Sequence, residues 1–128
     1  MLDLNLYIHI FGYMNIIKKL ESNVFKAISE EIRLRIAVLL SSGELCVCDL
    51  MQVLNLPQSS VSRHIAKLKS VHLVTDRRDK KWVYYQINNN INEIIPSLTE
   101  ILIEFRNREP FATDKVKLET YLQTKCCD

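Results

Sequence analysis

Asn55-Leu56-Pro57-Gln58-Ser59-Ser60-Val61-Ser62-Arg63-His64-Ile65-Ala66-Lys67-Leu68 is the stretch on which the fold turns. Proline has no N–H and a fixed φ, which suits the first turn of a helix, where that donor would find no intrahelical partner. After Pro57, Val61, Ile65 and Leu68 fall at i, i+4 and i+7 and form an apolar stripe on a helix running to about Ser70. Gln58, Ser59, Ser62, Arg63 and Lys67 are left largely on the outer side. A shorter helix, roughly residues 46–54, precedes the break and turns Leu50, Val53 and Leu54 inward. Two short helices, a tight turn between them and a polar, basic face on the second are the parts of a helix-turn-helix.

The flanks extend this unit. Leu73-Val74-Thr75, the charged run Asp76-Arg77-Arg78-Asp79-Lys80-Lys81 and Trp82-Val83-Tyr84-Tyr85-Gln86-Ile87 predict a β-hairpin with a basic tip, because the second strand is β-branched and aromatic with near alternation. Asn88-Asn89-Asn90 closes it and can cap a long final helix whose apolar face is Ile91, Ile94, Ile95, Leu98, Ile101, Leu102 and Phe105. Pro96 sets the start of that helix or kinks it. Upstream, Ser22 or Asn23 caps a helix over residues 24–40 carrying Phe25, Ile28, Ile32, Ile36, Leu39 and Leu40 at helical spacing, and Ser41-Ser42-Gly43 ends it. A short amphipathic helix covers residues 14–20. The expected fold is mainly α, a dimeric winged helix-turn-helix of about five to six helices plus a β-hairpin wing. Residues 1–22 make an N-terminal arm and dimerisation helix, and residues 23–108 the DNA-binding domain with its C-terminal dimerisation helix. Residues 109–128 form a polar tail with a short helix near residues 116–122, ending in Cys126-Cys127-Asp128.

A length of 128 residues bounds the chain to one domain, and 48% apolar with 25% charged residues places it among globular proteins. Seven basic residues against two acidic ones between Pro57 and Trp82 give a local charge of +5 in a chain whose total is +2. Charge so concentrated suits a polyanion. Gln58, Ser59, Ser60, Ser62, Arg63, His64 and Lys67 are the residue types that meet base edges and phosphates in a major groove. Arg77, Arg78, Lys80 and Lys81 would follow the backbone or an adjacent minor groove. The alternative for a charged face is simple solvation, which leaves the coincidence of a turn-proline helix and a basic hairpin without a role. Only two glycines and no Cys-X-X-Cys argue against an enzyme, whether nucleotide-dependent or a thiol reductase. The apolar start, residues 1–14, has no basic residue ahead of it, contains Asp3 and Asn5, and is too short to span a bilayer. It is expected to be a dimerising arm or an upstream start with Met14 as the true beginning, in a cytoplasmic protein without membrane contact or organic cofactor.

In that compartment four cysteines are expected as ligands or sensors rather than disulfides. Cys46-Val47-Cys48 offers two soft thiolates at a helix start, where the helix dipole favours the anion. In a helix, residues i and i+2 point about 200° apart. Both sulfurs can hold one ion only if the first turn unwinds, so chelation is expected to deform the helix that braces the recognition helix. Two small buried apolar cysteines are the plainer alternative.

Glu44-Leu45-Cys46-Val47-Cys48-Asp49-Leu50 resembles the metal-binding box of the arsenical-resistance repressors, the ArsR/SmtB family. Residues 58–68 are similar to that family's recognition helix, and Asp76-Arg77-Arg78 through Lys81-Trp82-Val83-Tyr84-Tyr85 to its wing. The resemblance covers about residues 25–87. It implies a homodimer paired through its first and last helices on an inverted-repeat operator, repressing a resistance operon until trivalent arsenic or antimony binds Cys46 and Cys48. Three departures bear on the inducer. Arsenite-responsive members often carry a third cysteine where this chain has Met51. Cadmium and lead sensors share the Cys-Val-Cys box but add cysteines from an N-terminal arm, which has none here. Zinc sensors place Asp, His and Glu ligands on the final helix, which here has no histidine, and His9, His64 and His72 are scattered. Cadmium, lead and thiol oxidation therefore stay open as alternative triggers. Cys126 and Cys127 are candidates for the missing thiolate, against the alternative of an incidental chain end. A two-thiolate site would instead suit methylated trivalent arsenic.

Overall fold

The computed structural model describes residues 3–125. Helix α1 (Leu4–Ile28) leads into α2 (Glu31–Leu40), the two-residue strand β1 (Leu45–Cys46), α3 (Val47–Leu54) and α4 (Gln58–Ser70). The hairpin β2 (Val74–Asp79) and β3 (Trp82–Ile87) follows, then α5 (Ile91–Ile94), α6 (Leu98–Phe105) and α7 (Phe111–Thr124). The architecture is a winged helix-turn-helix, mainly helical, with a three-stranded antiparallel sheet in the order β1-β3-β2.

The helix-turn-helix forms as its sequence predicts. Asn55 ends α3 in the left-handed conformation (φ 54°, ψ 49°), which asparagine tolerates, and Pro57 stands at the N-cap of α4. Val61, Ile65 and Leu68 are all buried. In the wing, Asp79 pairs with Trp82, so Lys80 and Lys81 form a two-residue turn, with Lys80 at a φ of 57°.

Elsewhere the boundaries differ. The chain does not break at Ser22 or Asn23: one continuous α1 takes in residues 14–20 and 24–28, and the break comes at Ser29 and Glu30. Side chains make it. Glu30 Oε2 accepts the Arg33 N–H at 2.9 Å to start α2, and Arg33 Nε donates to the Ala27 carbonyl at 2.6 Å to close α1. Phe25, expected on the inner face, is exposed. The single final helix is two. Ile95 is extended (φ −124°, ψ 98°), as a residue before proline is driven to be, and Ser97 sits at a φ of 65° before α6 begins. The expected polar tail is the 14-residue α7, which packs against α3 and α2 and buries Asp114 and Leu118.

Leu50 of α3, Ile36 of α2, Ile65 and Leu68 of α4, and Ile91, Leu98 and Leu102 converge in the centre with essentially no exposure. Leu50→Ala should destabilise the chain by about 2–5 kcal/mol, the usual cost of a buried leucine with its residual cavity. Urea unfolding checks this, with a lower midpoint at an unchanged slope. By contrast Leu4, Leu6, Tyr7, Ile8, Ile10, Phe11, Tyr13, Met14 and Ile16 of α1 are exposed.

Candidate sensor and nucleic-acid interface

Helix α4 presents Gln58, Ser59, Ser62, Arg63 and Lys67 to solvent, while Ser60 is half-buried. His64 is half-buried too: its Nδ1 lies 3.5 Å from Arg33 Nη1 and 3.8 Å from Glu30 Oε2, so the ring braces α4 against the start of α2. In the wing Arg77, Arg78, Lys80 and Lys81 are exposed. Arg77 is already engaged, bound through two nitrogens to the Glu44 carboxylate and lying 4.7 Å over the Tyr84 ring. That guanidinium holds the Glu44 carboxyl below its ordinary pKa. Lys81 lies 5.4 Å over the Trp82 ring. Lys69 reaches across to Asp76 at 2.7 Å and ties α4 to the wing. The Lys69–Asp76 pair thereby joins the exposed polar and basic residues of α4 to those of the wing.

Cys46 and Cys48 occupy different environments. Cys46 is not helical: it is the N-cap of α3, with φ −95° and ψ 170°, and its backbone pairs with Tyr84 while Leu45 pairs with Tyr85. Its side chain is 4% exposed, whereas Cys48 is exposed. The i, i+2 spacing thus puts one sulfur inside and one outside. Asp49, buried in the first turn of α3, accepts the Cys46 N–H at 2.9 Å and the Cys46 Sγ–H at 3.2 Å, both on Oδ2. Its other oxygen accepts from Lys125 Nζ at 2.6 Å, and that ammonium is 3.8 Å from Cys46 Sγ. Burial pushes the Cys46 thiol pKa up. For Lys125, partial burial opposes the charge, but the hydrogen bond to Asp49 outweighs it and raises the ammonium pKa.

Among the described residues, no three His, Cys, Asp or Glu side chains gather in a metal-binding group. Met51 is half-buried and packs on the core. Cys126 and Cys127 lie outside the described residues. Asp49 and Lys125 were not foreseen as parts of this site. The Cys46-x-x-Asp49 spacing, a variant of the capping box, was the available signal for Asp49; nothing local pointed to Lys125, which is 76 residues from its partner. No helix among the described residues is long and apolar enough to cross a membrane.

The family described as bacterial regulatory proteins of the arsR type matches residues 30–76, the segment holding α2, the Cys46 box, α4 and the start of the wing. The arsenic resistance transcriptional regulator ArsR2 of Pseudomonas putida is 38% identical over 98 residues, covering 76% of this chain and 84% of its own. The arsenical resistance operon repressor of Escherichia coli is 46% identical over 69 residues, or 53% of this chain and 59% of its own. Among solved structures, reduced HlyU from Vibrio cholerae superposes with a TM-score of 0.61 at 27% identity, over 74% of this chain and 94% of that one. The helix-turn-helix and the Cys46 box lie within the family match, and with the Pseudomonas putida relative covering most of both chains, the chain belongs to the arsR family of bacterial regulatory proteins.

Proposed function

We propose that this chain is a metalloid-responsive transcriptional repressor that binds operator DNA as a homodimer and dissociates when trivalent arsenic or antimony binds the thiolates of Cys46 and Cys48. The observation that carries this reading is the position of Cys46. It is at once the N-cap of α3, the helix that braces α4, and a residue of β1, hydrogen-bonded to the wing strand β3. A ligand that draws the buried Cys46 sulfur and the exposed Cys48 sulfur together must disturb one or both of these pairings. The ligand's binding energy is thereby set against the shape that α4 and the wing need on DNA. The names of the Pseudomonas putida and Escherichia coli relatives support arsenic as the inducer.

In this reading α4 enters the major groove with Gln58, Ser59, Ser60, Ser62, Arg63, His64 and Lys67. Arg77, Arg78, Lys80 and Lys81 follow the phosphates. The exposed apolar first half of α1 pairs two copies across an inverted-repeat operator, as a dimerisation arm (residues 1–22) added to the DNA-binding domain of residues 23–108. The protein works in the cytoplasm.

Fluorescence anisotropy on a labelled duplex from the promoter upstream of the chain's own reading frame tests it. Arsenite or antimonite should release the protein, and cadmium, lead or peroxide should not. The relative from Staphylococcus aureus described as a cadmium resistance regulatory protein homolog, 38% identical over 69 residues, makes cadmium the informative control. Release by cadmium but not arsenite would overturn the assignment of the inducer. Arg63→Ala should weaken operator binding by about 1–3 kcal/mol while leaving the dimer intact, if Arg63 reads a base. A loss equal on all sequences, with a salt slope shallower by about one, would assign it to a phosphate instead.

A further inference from the structure

We propose that Lys125 makes the Cys46 site selective for a neutral metalloid over divalent cations, by occupying the place between the Asp49 carboxylate and the Cys46 sulfur that a cation would take. This rests on the arsenic reading above and names the residue that sets its specificity.

Thiolates are soft donors that take soft divalent cations as well as trivalent arsenic, so Cys46 and Cys48 alone do not tell these ligands apart. What differs is the further donors each ligand asks for. A zinc-group cation is completed by about four donors, and a carboxylate oxygen is a common one. Trivalent arsenic arrives as neutral arsenous acid with three As–O bonds. Each thiol forms an As–S bond as one As–O bond breaks, and the thiol proton leaves with the hydroxide as water. Two such exchanges leave one As–O bond in place and arsenic still trivalent. No carboxylate is called on.

A carboxylate stands where a cation would use it. Asp49 Oδ2 is 3.2 Å from Cys46 Sγ, and the Asp49 side chain is 2% exposed. The Lys125 ammonium is seated on this sulfur–carboxylate pair, 2.6 Å from Oδ1 and 3.8 Å from Sγ. A cation held by Cys46 and Asp49 must expel the ammonium or lie against a like charge, and like-charge juxtaposition is how specific sites reject wrong partners. The ammonium is also held in place by its helix. Lys125 is the C-cap of α7, whose Phe111 stacks on Phe105 with ring centroids 5.6 Å apart. One turn later Asp114 takes two hydrogen bonds from Arg35, at 2.8 and 2.7 Å, and beyond it Leu118 is buried in the core.

Cadmium chloride and sodium arsenite are the probes, on full-length wild type, Lys125→Met, Lys125→Arg and Lys125→Met/Asp49→Asn. Sulfur-to-cadmium charge-transfer absorption gives the cadmium affinity, and anisotropy gives operator release by either probe. Lys125→Met should bind cadmium at least about tenfold more tightly than wild type, the scale of a like charge removed from close contact. It should then leave the operator on cadmium as well as on arsenite, with its response to arsenite unchanged. Lys125→Arg keeps the cation and should behave as wild type. Adding Asp49→Asn to Lys125→Met should cancel the gain, since asparagine still accepts the Cys46 N–H but offers a cation no charge. Operator affinity without either probe reports that each variant is folded. An unchanged cadmium affinity in Lys125→Met, with arsenite release intact, would overturn the proposal. A gain that survives Asp49→Asn would also overturn it, by placing the cadmium elsewhere. Failure of arsenite to release wild type would instead sink the inducer reading beneath it, a result visible without any Lys125 variant.

Discussion

Cys46→Ser/Cys48→Ser should hold the operator as tightly as wild type and no longer let go of it on arsenite. Serine is a good N-cap and its hydroxyl can donate to Asp49 as the Cys46 thiol does at 3.2 Å, so α3 keeps its start. Cys48 is exposed and its loss costs the core nothing. Hydroxyl oxygens are hard, poor donors for trivalent arsenic, so the ligand loses its differential hold on the two conformations. The expected result is loss of the entire coupling, about 5–150-fold in operator affinity for a typical allosteric pair. Anisotropy titrations with and without arsenite measure it directly. Normal release from the double variant would place the sensor elsewhere in the chain.

The second large effect concerns α7. Asp114 has 2% of its side chain exposed and leans on the Arg35 guanidinium through two bonds. The carboxylate in turn raises the Arg35 pKa above its ordinary value. Arg35→Met leaves that carboxylate buried and unpaired, which should cost about 3–5 kcal/mol. Against a total stability of about 5–15 kcal/mol, this is a large share. Arg35→Met combined with Asp114→Leu should recover most of the loss, because an apolar pair of similar volume carries no desolvation penalty. Denaturant titration of the single and double variants decides it. A single-variant loss under about 1 kcal/mol would show that the Arg35–Asp114 pair does not hold α7 in place.

The helix-turn-helix and the wing were legible in the sequence because local rules suffice there. Pro57 can begin a helix but not continue one, Val61, Ile65 and Leu68 keep one face, and Trp82 to Ile87 alternate. The α1–α2 boundary was not, since the apolar spacing runs unbroken through Phe25, Ile28 and Ile32. The break depends on Glu30 and Arg33 reaching back to the backbone, and glutamate is not a favoured cap. The docking of α7 escaped for a different reason. Its sequence is polar, and what seats it is a charge pair with a residue 79 positions away. In the box itself both cysteines were legible, but not that Cys46 is extended and Cys48 helical. That distinction comes from pairing with Tyr84, a contact between distant segments.

The short strand β1 has a consequence for a cell. Leu45 and Cys46 are zipped to Tyr85 and Tyr84 on one edge of β3, and the other edge of β3 carries the hairpin partner β2, so under the proposed function sensing and gripping share one strand. Coupling between two binding events is reciprocal. If the proposed function holds, a substitution that loosens β1 makes the inducer easier to capture and, in the same move, the promoter harder to keep silent. Basal leak and detection threshold then move together. A strain selected to respond to fainter arsenic through this strand will carry a noisier off state.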